Sequence, residues 1–331
     1  MLEASYRYCD GVILWSSIRD EFDQPVIWNR PEVQAIWAKT KEFINTHSAN
    51  IIRPKPEPER IFLDDPNKKF KLFSSLSYIG MPNLTSYGLH NIRIVNERDL
   101  SNGTLSANNI YEPEMIKVEA LAQQTALAPN VPVYITGGTW IRDRSTNPQT
   151  MINRHNNVRT AFKNKNSQNQ LAFSNVGPSS LSGLRVSGSN FFTNMASWKS
   201  TANILRPLQQ YADILVPASH IVDDDITLWE REFYLTIKDA KLNNPNKPVY
   251  AHFYTDYFNN TNNFPNGYKP INESTFTAML EAAFKICDGV ILTNLTSGAW
   301  SEQCGFWKAL QKFIDSYKAN IEFPDVSPSR R

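Results

Sequence analysis

The chain has 331 residues, 41% of them hydrophobic and 20% charged, with a net charge of +2. That is ordinary globular composition at a length that suits one large domain plus an appendage. The near-balanced charge excludes the strongly basic surface expected of a nucleic-acid binder, and no apolar run reaches the ~18–20 residues that membrane insertion requires. Three cysteines, Cys9, Cys287 and Cys304, are too few and too dispersed for a disulfide framework or a zinc site.

In chain order, Met1–Asp10 lacks the basic and apolar regions of a secretory leader. The run Cys9-Asp10-Gly11-Val12-Ile13-Leu14 then returns unchanged as Cys287-Asp288-Gly289-Val290-Ile291-Leu292. Around it Glu3-Ala4 matches Glu281-Ala282, and Trp37, Phe43-Ile44 and Ala49-Asn50 match Trp307, Phe313-Ile314 and Ala319-Asn320. The separation is about that of one (β/α) barrel, roughly 250 residues, not one solenoid turn of ~20–50. Residues 1–52 therefore read as the closing βα fragment of a preceding, related module. The alternating prolines Pro54, Pro56 and Pro58 make 53–68 a stiff, extended linker. Residues 69–331 form the main module.

Within that module, short apolar runs alternate with amphipathic stretches. The runs are 70–76, 92–95, 133–136, 171–175, 214–217, 249–254 and 290–293, most of them ending in or followed by Gly, Pro, Ser or Asn. Helices are expected over 114–128, 190–211, 227–242, 274–287 and 301–317. Strands alternating with helices imply parallel βαβ units. The fold class is thus α/β, a TIM-like (β/α) barrel of seven or eight parallel strands. The N-terminal fragment repeats the last βα unit, and its strand at 11–15 either completes the ring or belongs to another module.

Chemistry in such a barrel gathers at the carboxyl ends of the strands. Those ends carry Asn96-Glu97, then Trp140 and Arg142, then Asn175, His220, the pair His252 and Tyr254 with Asp256, and finally Asn294 and Trp300. The set lacks His/Cys spacing for a metal, a P-loop, a dinucleotide-binding glycine fingerprint and a nucleophile elbow, so no cofactor or metal is expected. Carboxylates, amides and flat aromatic rings are the groups that read sugar hydroxyls and stack on pyranose faces. Glycoside cleavage asks for two carboxyls, with one protonated as general acid. Glu97 follows an apolar strand where burial raises a carboxyl pKa, and Asp256 is the second candidate. Each has a plainer alternative: Glu97 in a rim ion pair with Arg98 or Arg142, and Asp256 as an acceptor for a neighbouring loop. His252 and Tyr254 point into the mouth or fill the core, Trp140 and Trp300 stack on sugar or pack beneath helices, and Asp223–Asp225 opens a helix.

Four segments carry a family resemblance: Ile94-Val95-Asn96-Glu97, Ala212-Asp213-Ile214-Leu215-Val216-Pro217-Ala218-Ser219, Lys247-Pro248-Val249-Tyr250-Ala251-His252-Phe253-Tyr254 and Cys287–Leu292. In their order the chain resembles the hyaluronidase-like branch of the barrel glycosidases and related barrels of phage tails and cell surfaces. The resemblance spans 69–320 in outline. It implies a general acid at Glu97 and a polysaccharide or cell-surface glycan as substrate. Family members carry D-x-E at this strand end, whereas here Val95 stands in place of the first acid. The other reading is a non-catalytic, carbohydrate-binding or structural repeat module of a virion or cell surface, with copies of itself as neighbours. Either reading favours an extracellular or virion-associated setting.

Overall fold

A computed structural model describes residues 68–174, 176, 191–222, 225–257 and 269–324, with isolated positions between 35 and 46. The chain divides into two units, Met1–Ile61 and Phe62–Arg331, and the account below concerns the second. The first copy of the repeated motif, the linker prolines and the 11–15 strand lie outside the described residues.

The element order is β1 (Lys71–Ser74), β2 (Leu89–Asn91), β3 (Arg93–Asn96), α1 (Met115–Thr125), β4 (Val133–Thr136), α2 (Pro148–Lys165), β5 (Leu171–Phe173), α3 (Phe191–Leu205), α4 (Ile226–Asn243), β6 (Tyr250–Tyr254), α5 (Glu273–Ile286), β7 (Gly289–Thr293) and α6 (Gly305–Ser316). Every strand pairing is parallel: β1 with β2 and β7, β3 with β4, β4 with β5, and β6 with β7. Only Ile92 separates β2 from β3, so residues 89–96 are one stave that exchanges its partner midway, from β1 to β4. The remaining gap is filled by the 213–218 run. Asp213 N–H donates to the Leu171 carbonyl at 2.8 Å, and bridges join Leu215 to Val249 and Ala218 to His252. Among the described residues the ring is therefore closed by seven staves drawn from residues 71–293.

The alternation of side chains along these staves sorts the core in two. Phe73, Ile92, Tyr134, Ala172, Ile214, Val216, Tyr250 and Ile291 form one cluster inside the ring. Their neighbours in sequence, such as Leu72, Val133, Ile135, Leu171, Phe173, Leu215, Ala251, Phe253, Val290 and Leu292, join the larger cluster beneath the helices. Because the side-chain period of a strand is two, this division fixes which face every later residue takes.

The repeated Cys-Asp-Gly motif has a physical reason in its second copy. Cys287 is fully buried. Asp288 accepts from Val249 N–H at 2.8 Å and from the Lys241 ammonium at 3.0 Å, which fixes the start of β7 beside β6. A Cβ on Gly289 would press into the Lys71 carbonyl oxygen, so only glycine lets β7 approach β1. At the amino end of the ring Ile321 bridges to Phe70, and Glu322 meets Lys71 at 2.9 Å.

Helices stand where the amphipathic pattern places them, with one addition. α2 is absent from the sequence expectations because its composition is polar, PQTMINRHNNVRTAFKNK. Its buried stripe is Met151, Arg154, His155, Val158, Ala161 and Phe162, a helical spacing in which two of the core positions are cationic or imidazole residues. Asn147 caps it, accepting from Thr150 N–H, and Pro148 occupies the first turn.

Candidate functional site at the barrel mouth

Along β6, Tyr250 belongs to the interior cluster, so His252 and Tyr254 also face into the ring, rising towards its carboxyl end. There they meet side chains from other staves. The His252 ring lies 5.4 Å from Tyr134 and 4.9 Å from Tyr254, and the His220 ring lies 4.6 Å from Tyr254 and 5.5 Å from His252. His252 Nε2 is 2.9 Å from Thr293 Oγ1, and Nδ1 is 3.4 Å from the Tyr134 hydroxyl. Thus β4, β6, β7 and the segment following the 213–218 stave converge on one set of phenol, imidazole and hydroxyl groups. Tyr254 and His220 are half-buried at the top, while His252 and Tyr134 are buried below.

Burial holds His220, His252 and Tyr134 in their uncharged forms. Burial lowers the His220 pKa to about 4. It takes His252 to about 3, with the nearby His220 adding to the effect. Burial likewise raises the Tyr134 hydroxyl well above its ordinary value. Desolvation disfavours whichever form carries charge, so imidazoles and phenols alike are held neutral.

Glu97 takes the opposite face. Val95, two residues earlier, packs in the outer cluster. The Glu97 carboxylate, 3% exposed, reaches the loop after β4. Gly138 N–H donates to Oε1 at 2.9 Å, while Thr139 N–H (2.7 Å), Thr139 hydroxyl (2.6 Å) and Trp140 N–H (3.3 Å) all donate to Oε2. Gly137, at φ +147°, leaves room for it, since a Cβ there would sit 2.7 Å from Oε2. Burial pushes the Glu97 pKa up, and the four donors pull it back. No ion pair to Arg98 or Arg142 is formed; Arg142 donates instead to the Asn109 carbonyl at 2.8 Å.

The same loop is gripped from its other side by Arg154, whose side chain is 3% exposed. Its guanidinium reaches Glu112 at 3.0 Å through Nε and Nη2, Asp143 at 3.1 Å and 3.2 Å, and the Trp140 carbonyl at 2.8 Å. Trp140 is a correction to the stacking expectation: it is wholly buried and its indole N–H donates to the Tyr111 carbonyl at 2.6 Å. It welds the loops after β3 and β4 together and offers no face to a sugar.

Asp256, 2% exposed, accepts from Leu295 N–H at 3.1 Å and lies 3.4 Å from the Thr296 hydroxyl. It holds the loop after β7. Asn294 holds the same loop, accepting from Ser77 N–H at 2.9 Å and donating to the Thr296 carbonyl at 2.7 Å. Asn96 is exposed and caps the short helical turn Glu97–Leu100 through Arg98 N–H. Trp300 is half-buried, packed on Tyr78, Phe306 and Trp307 with centroids at 6.0, 6.1 and 4.9 Å. Asn175, with Asp223 and Asp224, lies outside the described residues.

Of the expected site residues, then, His220, His252 and Tyr254 stand together, while Glu97, Asp256 and Asn294 each fasten a mouth loop. Tyr134 and Thr293 were missed. The signal for Tyr134 was present: a tyrosine among aliphatics at the interior parity of its strand, two residues before the carboxyl end. Among the described residues no group of His, Cys, Asp and Glu is arranged to hold a metal ion, and no helix is long and apolar enough to cross a membrane.

No family model and no curated protein matches the chain. Among solved structures it is similar to bee venom hyaluronidase, with a TM-score of 0.49 and 9% identity over 76% of this chain and 98% of that one. It is also similar to endo-beta-N-acetylglucosaminidase from Cordyceps militaris (0.37, 12%, covering 69% and 70%). A third is alpha-L-fucosidase isoenzyme 2 from Paenibacillus thiaminolyticus (0.40, 9%, covering 71% and 38%).

Proposed function

We propose that this protein is a carbohydrate-active barrel that seats a glycan at the carboxyl-end mouth. The observation that carries the reading is the Tyr254–His220 pair, two half-buried rings 4.6 Å apart and 32° from coplanar above the His252, Tyr134 and Thr293 groups. Flat rings offer an apolar platform for a pyranose face, and neutral phenol, imidazole and hydroxyl groups both donate to and accept from sugar hydroxyls. Tyr254→Ala should weaken glycan binding at least tenfold while leaving the melting temperature close to that of the parent. Equal binding by both proteins would remove the mouth from the account.

The finer reading is a glycoside hydrolase with Glu97 as general acid and Asp256 as second carboxyl. Its support is the raised pKa of the buried Glu97 carboxyl, which favours the protonated form a donor needs. A second reading, a glycan-binding module without turnover, is favoured by a specific observation: both carboxylates are already committed to loop backbone. The two separate in Glu97→Gln. For the hydrolase, turnover of an oligosaccharide panel falls by orders of magnitude with the fold intact. For the binding module there is no turnover to lose, and the change appears as a lower melting temperature.

A further inference from the structure

We infer that Thr293 is a positioning residue of the glycan platform: its hydroxyl oxygen accepts from His252 Nε2–H and so fixes the ring on which Tyr254 and His220 rest. This builds on the carbohydrate reading above. The two platform rings share one support. The His252 ring lies 4.9 Å from Tyr254 and 5.5 Å from His220, inclined to them by 54° and 75°. It is buried and is met at both nitrogens, by Thr293 Oγ1 at 2.9 Å and by the Tyr134 hydroxyl at 3.4 Å. The shorter contact comes from β7, whose register sets Ile291 beside His252 and Thr293 beside Tyr254. Ile291 faces the interior, so Thr293 does too, one inward step above His252 on the neighbouring stave.

A neutral imidazole has one donor and one acceptor, and its neighbours decide which nitrogen is which. Burial keeps His252 in that neutral form. A phenol is more acidic than an aliphatic alcohol and is the readier donor, so Tyr134 O–H donates to Nδ1 and the ring proton sits on Nε2, facing Thr293. Threonine is β-branched and stiff at χ1, which holds this acceptor in place. Turning the ring would leave a buried N–H without its partner, which is costly. The Tyr254 and His220 rings, 32° from coplanar, thus keep their mutual tilt because the ring beneath them cannot turn.

The test is a double-mutant cycle, read by calorimetric titration of the full chain with chitotetraose and cellotetraose at pH 7 and by 15N-histidine NMR of the same proteins. Thr293→Val should lower affinity by about fivefold or more, as loss of one fixed buried partner implies. It should cost nothing further in His252→Phe, and Thr293→Ser should restore the affinity. His252 in the parent should show the Nε2–H tautomer, and in Thr293→Val a mixture of the two. Losses that add in the double variant would make Thr293 a direct sugar contact. That result, unchanged affinity in Thr293→Val, no rescue by Thr293→Ser, or an Nδ1–H tautomer in the parent would overturn the positioning role while leaving the carbohydrate reading intact. Binding of neither tetramer by the parent at millimolar concentration would overturn both.

Discussion

Two buried polar clusters lie a few residues apart along the same staves and are built on opposite terms. On the outer side, the Arg154 guanidinium pairs with Asp143 and with the exposed Glu112, and Glu97 joins them through the backbone of residues 138–140 and the carbonyl of Trp140. On the inner side, Tyr134, His252, His220 and Tyr254 meet largely ring to ring, and burial holds the two imidazoles and the Tyr134 phenol uncharged. Strand parity separates them: Val95 and Ile135 lead outward, Ile94 and Tyr134 inward. A buried charge demands fixed partners, so the charged set makes a rigid frame. A neutral polar set tolerates exchange of a partner for a ligand hydroxyl, so it suits the mouth.

Acid breaks the comparison most forcefully. His155, His220 and His252 have folded pKa values lowered by burial to about 4, 4 and 3. The unfolded chain takes up protons below pH ~6.5 while the folded chain does not, so stability is full above that pH and is lost as pH falls towards 4. Each histidine contributes about 1.4 kcal/mol per pH unit in that window. Denaturant titrations across pH 4–7 should show this slope, and His252→Phe should reduce it by about a third. A flat profile would mean that the folded imidazoles take up protons at the same pH as those of the unfolded chain.

Arg154→Met tests the outer frame. It leaves Asp143 buried without its cation, so a loss of about 3–5 kcal/mol is expected by thermal or denaturant unfolding. A change below about 1 kcal/mol would show that the network is dispensable. Glu97→Gln comes next: an amide nitrogen facing backbone donors should cost about 1–3 kcal/mol, with hydrogen exchange of the 138–140 amides accelerating. Smallest is Tyr134→Phe. Its 3.4 Å contact to His252 is long, so the change should stay within about 0.5 kcal/mol; a much larger loss would mean that the inner cluster is a stability network after all.

The barrel was legible because the staves are short apolar runs, most of them ending in or followed by Gly, Pro, Ser or Asn, and all seven runs found a place in the ring. The 89–96 stave was read short, beginning at Ile92, because its first half holds His90 and Asn91 and pairs on the other side with β1. Helix α2 escaped because a buried Arg and His stand where a hydrophobic pattern is sought. At the site, sequence position located Glu97, Asp256 and Asn294 at strand ends, and this was correct. Which way each side chain turns depends on loops distant in sequence: Glu97 on residues 138–140, Asp256 on 295–296 and Asn294 on Ser77. Parity puts Glu97 outside, as found, but says nothing of the 138–140 backbone that it meets there. Trp140 was ambiguous in sequence, and its indole partner at Tyr111 comes from a different βα loop.

The most direct test of the mouth as the glycan seat is a paired titration of chitotetraose and cellotetraose into the parent protein and Tyr254→Ala, with melting temperatures measured on the same samples. The account predicts saturable binding of a tetramer by the parent, a loss of at least tenfold in the variant, and melting temperatures that agree. Undiminished affinity in the variant, or no binding by the parent, would contradict it.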